Sequence, residues 1–392
     1  MPAMPTPHRP HPCSLDLFGV VSIAIVTFCN SRRASRDKRM ILPAATSRAR
    51  DLRALDAVAG YHPTGCTCAI LPYCRMAGYR VVHRLEIDPA AERRALVAGL
   101  RATPPLIPPK YFYDDLGCAL YGAICALPEY YPTRTERGIF DAYRAEIAQA
   151  IGGGGQFVDL GAGDCSKGES WLPFVAAKRY VAVDIAAGLI ERALAQLAPA
   201  FPGVEMLGVI TDFTLGLDLR PDLVELPTTF FYPGSSIGNF TPDDALLFLK
   251  AIRAHCAVPG SGLLIGVDTI KDKARLDAAY DDSLGVTAAF NRNVLNHVNR
   301  VLSSDFVSSA YAHRGFYNTK ARRIEMHLEA MSTQVVTLDG APRIFGVGER
   351  IHTENSYKYV PETFAARLEQ AGFRTVRCWQ DARGDFAVFH AI

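Results

Sequence analysis

From Gln156 onward the chain alternates short apolar runs, rich in β-branched and aromatic residues, with stretches of helical periodicity. That rhythm predicts βαβ units around a mostly parallel sheet, with strands at 157–160, 180–185, 205–210, 228–232 and 263–268. Between the last two, Thr241-Pro-Asp-Asp supplies an N-cap, a proline at the first helical position and acids in the first turn. The apolar stripe Leu246, Leu247, Leu249 and Ile252 follows, so a helix is expected there. After Asp268 the rhythm breaks for about ninety residues. It resumes with a helix at 361–371 closed by Gly372, then strands at 375–379 and 386–392 joined by Asp381-Ala-Arg-Gly384.

A hairpin joins antiparallel neighbours, so the last strand must run against the rest of the sheet. A nucleotide-binding sheet ending in such a reversed strand resembles the class I S-adenosylmethionine methyltransferases. The expected fold is therefore α/β, a Rossmann-like sheet of that class with an antiparallel last strand. The expected division has three parts. Residues 1–77 are a poorly ordered extension, 135–268 with 360–392 form the sheet domain, and 78–134 with 269–359 meet over the strand ends as a second domain that binds the substrate.

Composition adjusts this picture mainly at the N-terminus. With 42 Lys and Arg against 40 Asp and Glu and 49% hydrophobic residues, the 392-residue chain is neither collagen, coiled coil nor wholly disordered. Nor does it have the strongly basic balance of a dedicated nucleic-acid binder. The balance is uneven, however: residues 1–75 carry ten Lys and Arg against four Asp, a net charge of +6, leaving the other 317 residues at −4. This leader has five of the ten cysteines and no helical or strand period. Its apolar run from Leu17 to Cys29 is 13 residues, too short to span a bilayer, so neither export nor membrane insertion is expected. Cys66, Cys68, Cys74 and His62 lack the paired spacing of a tetrahedral metal site. Met40 and Met76 both read as alternative starts. Cys118, Cys125, Cys165, Cys256 and Cys378 are isolated, which suits free thiols in a cytoplasmic protein.

Val158-Asp-Leu-Gly161-Ala-Gly163-Asp-Cys-Ser-Lys167-Gly168 follows a strand and opens a helix, so its glycines permit a sharp turn and close approach to a ligand. Four residues separate Gly163 from the next glycine, a wider loop than the dinucleotide G-x-G-x-x-G, and better suited to an aminoacyl group. Asp184 ends the next strand, twenty-one residues on, where its carboxylate can accept from both ribose hydroxyls. Asp212-Phe213 ends the strand after that, where the acid can accept from an adenine amine and the ring pack beside the base. Any one of these acids reads equally well as a solvated loop residue. The glycine loop and the two acids, at three successive strand ends, read together as a nucleoside site.

Four further blocks carry a resemblance: Ile107-Pro-Pro-Lys-Tyr-Phe-Tyr113-Asp; Leu127-Pro-Glu-Tyr130-Tyr-Pro-Thr-Arg134-Thr-Glu136; Tyr232-Pro-Gly234-Ser-Ser-Ile-Gly-Asn239-Phe; and 269–300, with Tyr280-Asp-Asp and Phe290-Asn-Arg-Asn. Together they closely resemble the histidine-specific methyltransferases of ergothioneine biosynthesis, from about residue 80 to the C-terminus. The resemblance implies S-adenosyl-L-methionine as co-substrate, no metal, and three methyl transfers to the α-amino nitrogen of L-histidine, giving hercynine. It also implies a monomer with a small-molecule partner and neither nucleic acid nor membrane. By the resemblance, Gly161, Lys167, Asp184, Asp212 and Phe213 bind the cofactor. Tyr130, Gly234, Tyr280, Met326, Glu354 and Ser356 bind the substrate, and Asn239 and Tyr113 serve catalysis. The family also contains fungal enzymes that methylate a prenylated tryptophan, which is the alternative acceptor; a cofactor-binding homologue that no longer catalyses is a third reading.

The residue types support these assignments physically. Asn239 can accept from an amine and orient its lone pair, and Gly234 leaves room for a nitrogen that grows by three methyls. If residues 351–358 are extended, Glu354 and Ser356 share a face and can bond the two nitrogens of an imidazole. Met326 alternates as a core residue would and can also pack on the ring. Tyr113, Tyr130 and Tyr280 offer hydroxyls to the substrate's carboxylate and ammonium, with Tyr113 guiding the ammonium proton out through water. Arg134 and Glu136 read as an ion pair between the two domains, and Tyr111 and Tyr131 as packing.

Overall fold

The computed structural model describes residues 74–76, 78–84 and 88–392; the expectations for the leader lie outside them, apart from its last few residues. In chain order the elements are β1 (Cys74–Met76), β2 (Tyr79–His83), α1 (Pro89–Arg101), α2 (Asp115–Ala126), α3 (Tyr131–Ile151), β3 (Gln156–Leu160) and α4 (Ser166–Glu169). Then come β4 (Arg179–Asp184), α5 (Ala187–Ala200), β5 (Glu205–Ile210), β6 (Thr228–Tyr232), α6 (Pro242–His255), β7 (Gly262–Asp268), α7 (Lys273–Tyr280) and α8 (Val286–Leu302). The chain closes with β8 (Tyr311–Asn318), β9 (Arg323–Ala330), β10 (Gln334–Leu338), β11 (Ala341–Phe345), β12 (Arg350–Tyr357), α9 (Pro361–Gln370), β13 (Val376–Gln380) and β14 (Phe386–Ala391). Tight 3-10 turns at Pro109–Phe112 and Ser236–Asn239 carry residues of the site.

Nine strands form the main sheet in the order β1-β2-β5-β4-β3-β6-β7-β14-β13. From β2 to β7 neighbours are parallel, and β14 runs antiparallel to both β7 and β13, as the hairpin reading requires. Side chains alternate between faces, so Val158 and Leu160 of β3 join Phe248, Ile252 and Phe364 from α6 and α9. Phe157, on the opposite face, joins Ile139, Phe140 and Leu194 from α3 and α5. The helix after Thr241 is capped as expected, the hydroxyl accepting from Asp244 N at 3.2 Å. The strand order reverses at β3, whose neighbours are β4 and β6, and at such a reversal open α/β sheets bind ligands outside the carboxyl ends of the strands.

The domain boundary expected at residue 78 needs correction. β2 lies in the main sheet, parallel to β5, and β1 pairs with β2 although residues 74–76 fall in the stretch read as lacking order. Both strands are too short for a hydrophobic period to show, yet Val81 and Val82 are buried on opposite faces. A separate core gathers Leu96, Leu100, Ile107, Phe112 and Ile124 with Leu276, Phe290, Val294, Leu328 and Ile351. It is therefore built from two segments that flank the sheet sequence. An isolated bridge from Leu106 to His352 joins those segments, and another from Thr269 to Tyr359 brings the two ends of the late insertion together. Inside that insertion, where sequence rhythm breaks, lie α7, α8, the antiparallel sheet β12-β9-β8 and the hairpin β10–β11.

Candidate active site

The glycine loop leaves β3 with Gly161 at φ +71° and Gly163 at φ +55°, conformations that favour residues without a Cβ. A Cβ on Gly163 would meet nothing within 4 Å, so the loop has an open side. Asp184 braces that loop: one carboxylate oxygen accepts from Gly163 N and the other from Ala186 N, each at 2.9 Å. At the end of β5, Asp212 Oδ1 accepts from Thr214 N, whereas Oδ2 is buried without a hydrogen-bond partner, 3.7 Å from Lys110 Nζ. An orphaned buried acceptor beside a glycine cradle fits the exocyclic amine of adenine. The Phe213 ring, stacked on Phe248, reaches within 3.9 Å of where a Gly161 Cβ would lie, closing the same cradle from the side. Gly161, Asp184, Asp212 and Phe213 thus meet at successive strand ends, and the group they fit is S-adenosylmethionine.

Lys167 reaches from α4 to Glu136 of α3 at 2.7 Å, and the other Glu136 oxygen accepts from Gly234 N at 2.7 Å. Glu136 is 1% exposed, so this carboxylate ties α3, the glycine loop and the turn after β6 at one buried point. The expected Arg134–Glu136 pair does not form. Residues two apart on a helix face in different directions, and Arg134 instead donates to the carbonyls of Leu127 and Pro128. A Cβ on Gly234, at φ +78°, would lie 3.1 Å from Lys167 Nζ.

A cavity beside this point is lined by Tyr113, Tyr130, Gly234, Asn239, Tyr280, Met326, Glu354 and Ser356, the whole expected substrate and catalytic set, together with Tyr121, Ile124 and Phe290. Each comes from an element end or a strand face. Tyr113 caps the turn at Pro109–Phe112, Tyr130 precedes α3, Asn239 ends the turn at Ser236–Asn239, and Tyr280 ends α7. In the register of β9 and β12, Met326 stands opposite Glu354 and Ile324 opposite Ser356. A bulge between His352 and Glu354 shifts that register, and its extra residue, Thr353, is held by bonds to Asn291 Oδ1 (2.8 Å) and Met326 O (3.0 Å). Beyond it Glu354 and Ser356 share a face. Gly238 lets the Asn239 turn press on β12, since a Cβ there would lie 2.8 Å from Tyr357 O.

Behind Ser356 and Tyr280, which line the cavity, lies a buried ionic cluster. Asp268, ending β7, bonds Lys358 Nζ at 2.9 Å, Lys271 Nζ at 2.5 Å and Tyr131 Oη at 2.7 Å. Lys358 Nζ also donates to Ser356 Oγ at 2.8 Å and Tyr280 Oη at 3.1 Å. Burial opposes ionisation of Asp268, but the two lysines outweigh it and hold the carboxyl below its usual range. Glu354 differs: burial pushes its carboxyl up to about 7, with Lys358 only partly opposing. Burial also raises the Tyr113 phenol well above its usual value, and the charges of Glu354 and Asp184 raise it further. Tyr113 is thus a hydrogen-bond donor or relay near neutrality, not a base.

Tyr111 and Tyr131 are buried as expected, but both also hydrogen-bond, Tyr111 to Glu92 and Tyr131 to Asp268. Sequence reading missed Tyr121, Asp268 and Lys358. A signal for Lys358 exists: it continues the two-residue period of Glu354 and Ser356. Among the described residues no group of three or more His, Cys, Asp or Glu could hold a metal ion, Cys118, Cys125, Cys165, Cys256 and Cys378 are free thiols, and no helix is long and apolar enough to cross a membrane.

Comparison with known proteins agrees with this geometry. Residues 92–392 match the model of the family described as histidine-specific methyltransferase, SAM-dependent. A histidine N-alpha-methyltransferase of Mycolicibacterium smegmatis is 42% identical over 317 residues, covering 79% of this chain and 97% of that protein. One of Mycobacterium tuberculosis is 39% identical over 308 residues, covering 76% and 94%. Ergothioneine biosynthesis protein 1 of Neurospora crassa is 29% identical over 286 residues, covering 70% of this chain and 32% of its own length. The chain belongs to the histidine-specific, S-adenosylmethionine-dependent methyltransferases.

Proposed function

We propose that the protein transfers three methyl groups from S-adenosylmethionine to the α-amino nitrogen of L-histidine, giving hercynine, the first step of ergothioneine biosynthesis. The observation that carries this reading is the placing of Glu354 and Ser356 on one strand face, with Met326 beside them, in a cavity that also takes in Asn239 and Gly234. An imidazole donates from one nitrogen to Glu354 and meets the Ser356 hydroxyl with the other. An indole has only one ring nitrogen and would leave one of these groups unmatched, which disfavours a tryptophan acceptor by ~1–3 kcal/mol.

When bound, S-adenosylmethionine supplies a methyl group already activated by its sulfonium. The chain's own task is positioning and proton management. Gly161, Asp184, Asp212 and Phe213 hold the nucleoside, and Lys167, anchored by Glu136, lies beside the amino-acid end. Asn239 accepts from the substrate amine, turning its lone pair, while Gly234 leaves space for successive methyls. Tyr113 and Tyr130, kept protonated by burial, donate to the polar end of the amino acid, and Tyr280, whose hydroxyl bonds Ser356, lines the cavity beside it. The ammonium proton leaves through water at Tyr113, because the phenol itself holds its own proton too tightly.

The test is direct: purified protein, S-adenosylmethionine and histidine, with products read by mass spectrometry. The expected product is heavier than histidine by three methylene units. No mass change with histidine, or faster turnover of a tryptophan, overturns the reading.

A further inference from the structure

Lys358 lies behind Ser356, which lines the cavity; it is wholly buried and has no place in the chemistry described so far. Its ammonium has three protons and three acceptors, Asp268 Oδ2, Ser356 Oγ and Tyr280 Oη. Tyr280 Oη lies 3.0 Å from Ser356 Oγ, and the phenol, the more acidic hydroxyl, is the donor of the two. Ser356 Oγ thus accepts two hydrogen bonds, which fills both of its lone pairs. Its own proton is left, and the side open to it is the cavity.

We propose that Lys358 is a positioning residue that fixes the direction of hydrogen bonding at this end of the pocket: it makes Ser356 an obligate donor, so the site takes its substrate ring uncharged. The inference rests on histidine as substrate. A neutral imidazole offers one N–H to Glu354 and one bare nitrogen to Ser356. An imidazolium offers two N–H groups, one of which would point at a donor and a buried ammonium. Without Lys358, Ser356 regains a lone pair and can accept from the imidazolium. The charged and titratable groups around Lys358 are Asp268 of β7, Lys271 after it, Tyr131 of α3, Tyr280 of α7, Tyr317 of β8 and Glu354 of β12. Asp268, facing both Lys358 and Lys271, stays ionised, which leaves Glu354 as the carboxylate that changes state near neutrality.

The experiment measures histidine affinity by calorimetry in saturating S-adenosylhomocysteine, from pH 5.5 to 7.5, for the wild type, K358M and D268N/K358M. K358M leaves Asp268 paired with Lys271; the double variant removes one charge of each sign and so keeps the net charge of the cluster if K358M does not fold. In the wild type, histidine must shed the ring proton to bind, so affinity falls steeply below the ring's pKa of about 6.5. In either variant the slope of log Kd against pH is expected to drop by about one, because the bound ring can keep its proton. A role in packing alone would weaken affinity equally at every pH. Equal slopes in wild type and variants overturn the role of Lys358 while leaving histidine as substrate. A wild type that binds no histidine overturns the substrate reading, and this inference with it.

Discussion

Replacing Glu354 by Gln gives opposite effects on stability and on binding, and the sizes follow from its setting. Burial lifts the carboxyl from 4.5 to about 7, and at ~1.4 kcal/mol per unit holding it ionised costs the folded protein about 3 kcal/mol. A carboxyl whose pKa is higher folded than unfolded keeps its proton more tightly when folded. Stability therefore declines as pH rises from about 4.5 through about 7 and is level above. Gln has the same shape and no charge to bury. The E354Q protein without substrate should match the wild type in thermal unfolding at pH 5 and exceed it at pH 8 by up to a few degrees, the scale that about 3 kcal/mol implies for a chain of this size. The same substitution removes an anionic acceptor from the ring site, so histidine should bind roughly 5- to 150-fold more weakly, for a loss of ~1–3 kcal/mol. Cofactor affinity should stay within about twofold, because Gly161, Asp184, Asp212 and Phe213 are elsewhere. Differential scanning calorimetry at the two pH values and titration with each ligand read these outcomes. A stability change equal at pH 5 and pH 8 would refute the argument that ionisation of Glu354 is its source.

Three other substitutions probe separate parts of the site. D212N, by turning the orphaned oxygen's carboxylate into an amide, should weaken S-adenosylhomocysteine binding about tenfold or more and leave histidine affinity unchanged; calorimetry with both ligands checks this, and unaltered cofactor affinity would remove Asp212 from the adenine site. Y113F should lower kcat roughly tenfold or more without weakening the cofactor, and a steady-state profile in which only KM moves would assign Tyr113 to binding instead. G234A forces a Cβ onto a left-handed residue and toward Lys167, so kcat should fall, with a stability loss of about 1 kcal/mol or more; full activity on all three methylations would show that the space beside Gly234 is not used by the growing amine.

The parts of the fold legible in the sequence are those where local pattern and tertiary role coincide. β3 through β7 are buried on both faces, so their apolar runs stand out, and Thr241 and Gly372 mark helix ends by chemistry that needs no tertiary partner. β9 and β12 were legible only in part, as the alternation around Met326 and an extended 351–358, and β8 not at all, because their sheet mixes core positions with Arg314, Arg323, Glu325, Glu329 and Arg350, which form ion pairs on it. The cavity residues were reached through family resemblance, since nothing local says that Tyr113 and Glu354, more than two hundred residues apart, line one space. The Arg134–Glu136 pairing failed for a similar reason. Proximity in sequence suggested a partner, while the true one, Lys167, comes from another element. Lys358 had a readable period but no motif.

β14 occupies an interior place in the main sheet, between β7 and β13, and all six of its residues are buried. Among the described strands β14 is the last in chain order, so during synthesis it leaves the ribosome after all the others. Until it does, β7 presents an unpaired edge, α3 lacks the strand it covers, and Asp268 at the end of β7 has no neighbour on that side. Until β14 is made, the nascent chain must wait in a state with apolar sheet surface open to other chains. A chain cut short before β14 would leave β7 without that neighbour and take Phe386, Val388 and Phe389 out of the cores on both faces of the sheet.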